Sequence, residues 1–269
     1  MSAAARYFRL LGAFGRFSLA QELAFRGNFL AKITVEVLWL GLMLIFYRTV
    51  FAKTTVVAGW SEAEYLFFVG CYFALEGVIE TFFLANCMNF AELVRTGELD
   101  FFLLQPIDEQ FLVSCKDFDW STAPNVILGA VVMVLAFIAG GWSIEPVRLA
   151  IFAVMFLCGI AMAYSFLLML TSSSVWLVRN QSLMELWWLF TSLMRYPREI
   201  FSKSWASPLG FVFSFLVPIM LVVSVPAGTM VKVLEPLMCI YAVACTMALL
   251  IGSRWVLRYA LRRYRSASS

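Results

Sequence analysis

Three glutamates stand where an apolar chain can least accommodate them. Glu36, Glu76 and Glu80 each fall inside a hydrophobic run. An acidic side chain deep in hydrocarbon costs about 2.5–3.5 kcal/mol on insertion scales, so it needs a partner or a task. Glu76 and Glu80 are one helical turn apart and share a face. They can line a polar path or hold a cation; they can also pair with Lys32 or another helix, or, for Glu80, hydrate near a span end. Lys32 and Glu36 have the same spacing and are expected to pair with each other. Enzymatic chemistry has little else to work with. The chain has no histidine, so the commonest general base and metal ligand are missing. It has no GxxxxGK[ST] phosphate loop and no HExxH. Its six cysteines form no CxxC pair and lie mostly in apolar runs, where a thiol behaves as a small apolar side chain.

The elements around these carboxylates must be membrane helices. The 269-residue chain is 62% hydrophobic and 14% charged, whereas soluble domains carry roughly 25% charged residues. Several apolar runs approach the roughly 20 residues that cross a bilayer. No signal-peptide pattern is visible at the start. Residues 1–28 read as an interfacial amphipathic helix, with Tyr7, Leu10, Leu11 and Phe14 on one side and Arg9 and Arg16 on the other. Spans are expected near 29–51, 64–86, 120–140, 147–178 and 236–257. A stripe of Ala244, Ala248 and Gly252 on the last of these suits close packing within the chain. Arg254, Arg258, Arg262, Arg263 and Arg265 have no acid among them, and the start of the chain is also Arg-rich, so the positive-inside rule puts both termini in the cytoplasm and requires an even number of spans, six being the natural count.

Two six-span threadings fit the last third. In one, 182–200 crosses outward and 204–230 is a re-entrant hairpin broken by Pro208, Pro218 and Pro226. In the other, 182–203 stays inside with Arg195, Arg198 and Lys203, and 208–227 crosses. The apolar run before them is broken at Arg179-Asn180-Gln181-Ser182. No internal repeat or linker appears, so residues 1–269 form one membrane domain.

The densest group of acids, seven of the chain's 17, lies in one polar island, from Cys87 to Trp120. Phe90, Leu93 and Val94 make a short amphipathic turn that Gly97 can end in a left-handed cap. Leu99, Phe101, Phe102, Leu103 and Leu104 follow as a dense apolar patch, stopped by Pro106 and rimmed by charge, the composition of a protein interface. The run Arg95-Thr96-Gly97-Glu98-Leu99-Asp100-Phe101-Phe102-Leu103-Leu104-Gln105-Pro106, with Asp117-Phe118-Asp119-Trp120 after it, resembles the ABC-2 type permeases, in the branch once catalogued as a domain of unknown function. Arg195-Tyr196-Pro197-Arg198-Glu199-Ile200-Phe201 and the stretch Val217-Pro218 to Val225-Pro226-Ala227 are similar to the same branch. Gln105 departs from it, the position being often basic there.

The resemblance implies an all-α polytopic membrane protein: six transmembrane helices, the N-terminal interfacial helix, a cytoplasmic coupling helix within 87–118 and a re-entrant outer hairpin at 204–230, which selects the first threading. It implies a half-transporter in the bacterial inner membrane with both termini cytoplasmic. Its partners would be two copies of an ATP-binding subunit, a second permease subunit, identical or a sister chain, and membrane lipid, with no nucleic acid and no cofactor of its own. Arg95, Gly97, Glu98, Leu99, Asp100, Phe102 and Pro106 would couple to the ATPase, and Pro197, Pro218 and Pro226 would shape an outer gate. The cargo path would include Glu76 and Glu80. A secondary transporter or channel working alone is the competing reading; it would be favoured by an inverted repeat, which is absent.

Overall fold

The computed structural model describes residues 3–176, 180–201 and 207–264. Arg179, Lys203, Arg265, the end of the 147–178 run and the first residues of the 204–230 segment lie outside them. The described residues are almost entirely helical, and the architecture is one bundle with two ends.

Helix α1 (Ala3–Ala24) stops at Phe25, and α2 (Arg26–Phe51) follows. A two-stranded hairpin, Val56–Val57 with Trp60–Ser61, turns through Ala58 and Gly59, both at positive φ (51° and 82°), the backbone that a two-residue hairpin turn requires. Ser61 then starts α3 (Glu62–Ile79), its N–H donating to the Glu64 carboxylate at 2.7 Å. A π-helical turn, Glu80–Leu84, runs without a break into α4 (Ala85–Thr96). Short α5 (Leu99–Leu103) and α6 (Glu109–Cys115) precede α7 (Ala123–Ala139) and α8 (Pro146–Ser173). Next come α9 (Asn180–Met194), a 3-10 turn Arg198–Phe201, α10 (Ser207–Phe211) with a π-helical turn Val212–Leu216, α11 (Leu221–Val231) and α12 (Pro236–Arg263).

Four helical stretches are long and apolar enough to cross a membrane: Arg26–Phe51, Glu62–Thr96, Pro146–Ser173 and Pro236–Arg263; Ala123–Ala139 and Leu221–Val231 are shorter apolar helices. The chain is thus a multi-pass, all-helical membrane protein. Helices α3 and α7 lie nearly backbone to backbone, because glycines meet there. A Cβ at Gly129 would sit 2.4 Å from the Ala74 nitrogen, and one at Gly77 would sit 2.9 Å from the Asn125 Cβ. Small residues permit that approach, and van der Waals contact then holds it in lipid. The consequence for the site is that Asn125, in the first turns of α7, is pressed against α3 one turn from Glu80.

Residues 207–231 fold back on themselves. A Cβ at Gly210 would meet the Phe201 carbonyl oxygen at 2.4 Å, which places the start of the segment beside the 3-10 turn. Lys232, at its other end, donates to the Gly59 carbonyl oxygen at 2.9 Å. Both ends therefore share the end of the bundle that carries the β-hairpin. Trp60 donates to Glu199 at 2.9 Å and Arg198 pairs with Glu235 at 2.6 Å, so the end of α9 is tied to the same place.

Two sequence expectations fail here. Lys32 pairs with Asp119 at 3.3 Å, while Glu36 accepts from Asn125 at 2.8 Å. Helical spacing allows the Lys32–Glu36 contact, but the turn before α7 brings Asp119 to Lys32 and the start of α7 brings Asn125 to Glu36. The Ala244–Ala248–Gly252 stripe is also not used for packing inside the chain: a Cβ at Gly252 would meet nothing within 4 Å, and the buried face of α12 carries Ala242, Thr246, Ser253 and Leu257.

Candidate functional site

At the end of the bundle opposite the β-hairpin, the polar island folds around a small core of its own. Phe90, Leu99, Val113, Leu168 and Leu257 bury together, joining α4, α5 and α6 to the ends of α8 and α12. Gly97 closes α4 at φ 78°, the left-handed cap expected for it. The chain reverses there, and α5 is set by Leu99, which is 0% exposed. This corrects the reading of 99–104 as one exposed patch. Leu99 is an internal anchor, and Phe102 is half-buried with the Lys116 ammonium 4.5 Å from its ring centroid. The outward residues are Phe101 at 68% and Leu104 at 81% exposure, with Leu103 beside them. Around that face, Arg95 is exposed and pairs with Glu92, Glu98 and Pro106 are exposed, and Asp100 is half-buried. Cys115, behind it, is pushed up to about 11 by burial, which makes it a poor nucleophile.

Helix α1 is welded to this region. Its Tyr7 hydroxyl accepts from the Asp108 N–H at 3.2 Å, and its Tyr7 and Phe14 rings flank Phe111. Ser18 accepts from the Phe118 N–H at 3.0 Å, and the Trp120 indole donates to the Gly15 carbonyl oxygen at 2.9 Å. Asp108 caps α6 by accepting from the Phe111 N–H and also holds Arg254 at 2.8 Å. Three elements far apart in the chain therefore meet at one aspartate, which no local pattern announces.

Deeper in the bundle, the carboxylates of the hydrophobic runs converge. Glu80 lies on the π-helical turn, a distortion common at functional sites. It shares Asn125 with Glu36 and has Glu76 and Asp119 as charged neighbours. Glu76 hydrogen-bonds Tyr72 and faces Arg195, whose guanidinium also donates to the Tyr72 hydroxyl and lies over the Trp39 ring. Glu36, Glu80, Lys32 and Asp119 line a cleft of about 470 Å³ between α2, α4 and α9. On the other side of Lys32, in a neighbouring cavity, Glu22 of α1 accepts from the Trp120 N–H at 2.9 Å; burial first, and the Asp119 carboxylate second, push Glu22 above the usual carboxylate range. Asn125 and Glu22 were not singled out from sequence, and Asp119 entered only with the Asp117–Trp120 motif, since nothing in their spacing relates them to Glu80.

The three prolines are all buried. Pro197 lies between the end of α9 and the 3-10 turn, Pro218 lies in the turn of the folded-back segment, and Pro226 interrupts α11. Pro226 has no N–H for the Val222 carbonyl one turn earlier. That carbonyl oxygen is the atom packed on Gly159 of α8, where a Cβ would come within 2.4 Å.

The family model described as "ABC-2 family transporter protein" matches residues 37–268. The chain belongs to the ABC-2 transporter family. It is a membrane component of an ABC transporter, a class in which ATP hydrolysis generally belongs to partner subunits. No curated protein and no solved structure matches it significantly. In this ABC-2 permease the match begins inside α2 and takes in the polar island, the acidic cleft and the proline-broken segment alike.

Proposed function

We propose that the chain is the membrane-spanning half of an ATP-driven exporter in the bacterial inner membrane. Two such permeases, identical or sister chains, stand over two ATP-binding subunits. Six crossings are made by α2, α3 with its continuation, α7, α8, α9 and α12. Helix α7 has 17 residues, about 26 Å at 1.5 Å per residue, close to the hydrocarbon thickness. The polar island and both termini face the cytoplasm, in keeping with the arginines on the last turns of α12. The 207–231 segment enters from the outside and returns, with Pro197, Pro218 and Pro226 shaping the outer gate. Residues 1–269 work as one domain.

The observation that carries the reading is the face of α5. Phe101 and Leu104 project outward from a short helix anchored at Leu99, rimmed by Arg95, Glu98 and Asp100. Large exposed apolar side chains on a rigid base are what a partner buries. Arg95, Gly97, Glu98, Asp100 and Pro106 would frame that contact, and Leu99 and Phe102 would hold it in place. The contacts of α1 and Arg254 with Asp108 and Phe111 would carry motion from this face to the helices. The test is purification of the chain alone and with its ATP-binding subunit: the complex hydrolyses ATP and the lone chain does not. ATP turnover by the lone chain contradicts the proposal.

A further inference from the structure

Helix α2 buries one narrow stripe against the bundle: Leu40, Met43, Tyr47 and Phe51. At the hairpin-bearing end that stripe is held by aromatic contact, the Tyr47 and Phe51 rings lying 4.8 and 5.7 Å from the Tyr65 ring of α3. Leu44 and Arg48, one helical turn apart, lie beside the stripe and line a groove shared with α3 and α7. What α7 presents there is short: Val132, Ala136 and Ala139, at i, i+4 and i+7. The groove has a volume of about 650 Å³ and an apolar floor that includes Leu44, Leu66, Val132 and Ala136.

Two opposite charges line the same groove, at one end of it. Arg48 stands in the last turn of α2 and Glu62 in the first turn of α3. Helix ends favour these signs at these places. Both side chains are nevertheless exposed, and neither has an ion-pair or hydrogen-bond partner among the described residues. The end of α7, at Ala139, lies at the same level, so the charged end of the groove is the membrane face and its floor is hydrocarbon depth.

We propose that this groove binds a phospholipid with a primary ammonium headgroup, a phosphatidylethanolamine. An acyl chain lies on the floor, the phosphate meets Arg48 and the ammonium meets Glu62. The site goes beyond the exporter reading and does not depend on it.

The headgroup follows from the two charges. Lipid tails are as apolar as the groove, so an acyl chain fills it with little selectivity. Discrimination therefore rests on the charged end. A guanidinium fork matches two phosphate oxygens. A carboxylate only accepts, so Glu62 needs N–H donors. A primary ammonium supplies three, and a trimethylated one supplies none. An anionic headgroup without an amine satisfies Arg48 but is repelled by Glu62.

The test is native mass spectrometry of the full chain in detergent, with palmitoyl-oleoyl phosphatidylethanolamine, phosphatidylcholine or phosphatidylglycerol added as probe. The ethanolamine lipid should bind about threefold or more tighter than either of the others. Arg48→Gln should weaken it by a similar factor. Glu62→Gln should erase its preference over the glycerol and choline lipids. Ala136→Trp, which fills the floor, should abolish the binding step. Equal affinity for the choline lipid overturns the proposal, as does tighter binding of the glycerol lipid or a preference that survives Glu62→Gln. If Ala136→Trp splits a dimer in the same spectra and leaves lipid binding untouched, the groove belongs to a second copy of the chain and the proposal falls. Should that variant not fold, the two exposed-charge variants decide.

Discussion

The carbonyl oxygen of Val222 lies against Gly159, so close that a methyl group on Gly159 would sit 2.4 Å from it. The contact exists because two residue types coincide. Pro226 cannot donate to the carbonyl one turn before it, and glycine alone leaves room for that carbonyl to approach a neighbouring helix. It fixes the depth to which the folded-back segment reaches between α8 and α3.

Gly159→Ala should therefore lower stability by about 1–3 kcal/mol, the usual cost of overpacking, because the opposing atom is backbone and cannot swing away. Gly228→Ala, in the same segment with nothing within 4 Å of its Cβ, should be neutral or slightly stabilising. Thermal unfolding of both variants in nanodiscs checks the difference. Equal melting of the two would remove the tight contact from the account.

The Asp108 junction makes a second test. Asp108→Ala removes an N-cap, worth about 1 kcal/mol, and an ion pair whose partners are partly exposed and so worth at most about 1 kcal/mol. Arg254→Ala removes the ion pair and a hydrogen bond to the Gln110 side chain but leaves the cap. A double-mutant cycle should give a coupling energy below about 1 kcal/mol, with Asp108→Ala the more damaging single change. Hydrogen exchange in α1 should quicken in the Asp108 variant, because the Tyr7 hydroxyl contacts the Asp108 backbone.

Glu22 gives a pH signature. Burial, then the Asp119 carboxylate, raises its folded-state value above 4.5. The unfolded value is then the lower one, so Glu22 favours docking of α1 below about pH 4.5 and loses that contribution as pH rises through the raised value. Hydrogen exchange in α1 should accordingly be slower at pH 5 than at neutral pH, after correction for intrinsic rates. Glu22→Gln should flatten the dependence and slow exchange at neutral pH. A dependence of opposite sign, or one that survives Glu22→Gln unchanged, would falsify this assignment.

How far the sequence reaches is clear from particular residues. The left-handed cap at Gly97 is legible because glycine is the residue that adopts it cheaply, and the cap needs no distant partner. The half-buried side of α1, Tyr7, Leu10, Leu11 and Phe14, is legible from helical period alone. Leu99 is not: in a five-residue helix one turn carries too little periodicity to tell an anchor from an exposed side chain, and its core is completed by Leu168 and Leu257. The Lys32–Glu36 expectation fails for the same reason. Local spacing names possible partners, whereas Asp119 and Asn125 arrive through a turn far along the chain. The acidic cleft was half visible, in Glu36 and Glu80, and the Asn125 behind them was hidden until α3 and α7 were paired.

Co-purification of the permease with its ATP-binding subunit, compared between two pairs of variants, addresses the central claim most directly. Phe101→Asp/Leu104→Asp should leave the chain folded and monodisperse in nanodiscs, yet abolish co-purification and ATP-driven transport, because the outward face would bury unpaired charge. Leu99→Asp should instead destabilise the chain itself, by about 3 kcal/mol or more, because it puts a charge in the small core. A Phe101→Asp/Leu104→Asp permease that still retains its ATPase and transports at the natural rate would contradict the claim that this face couples ATP hydrolysis to the membrane.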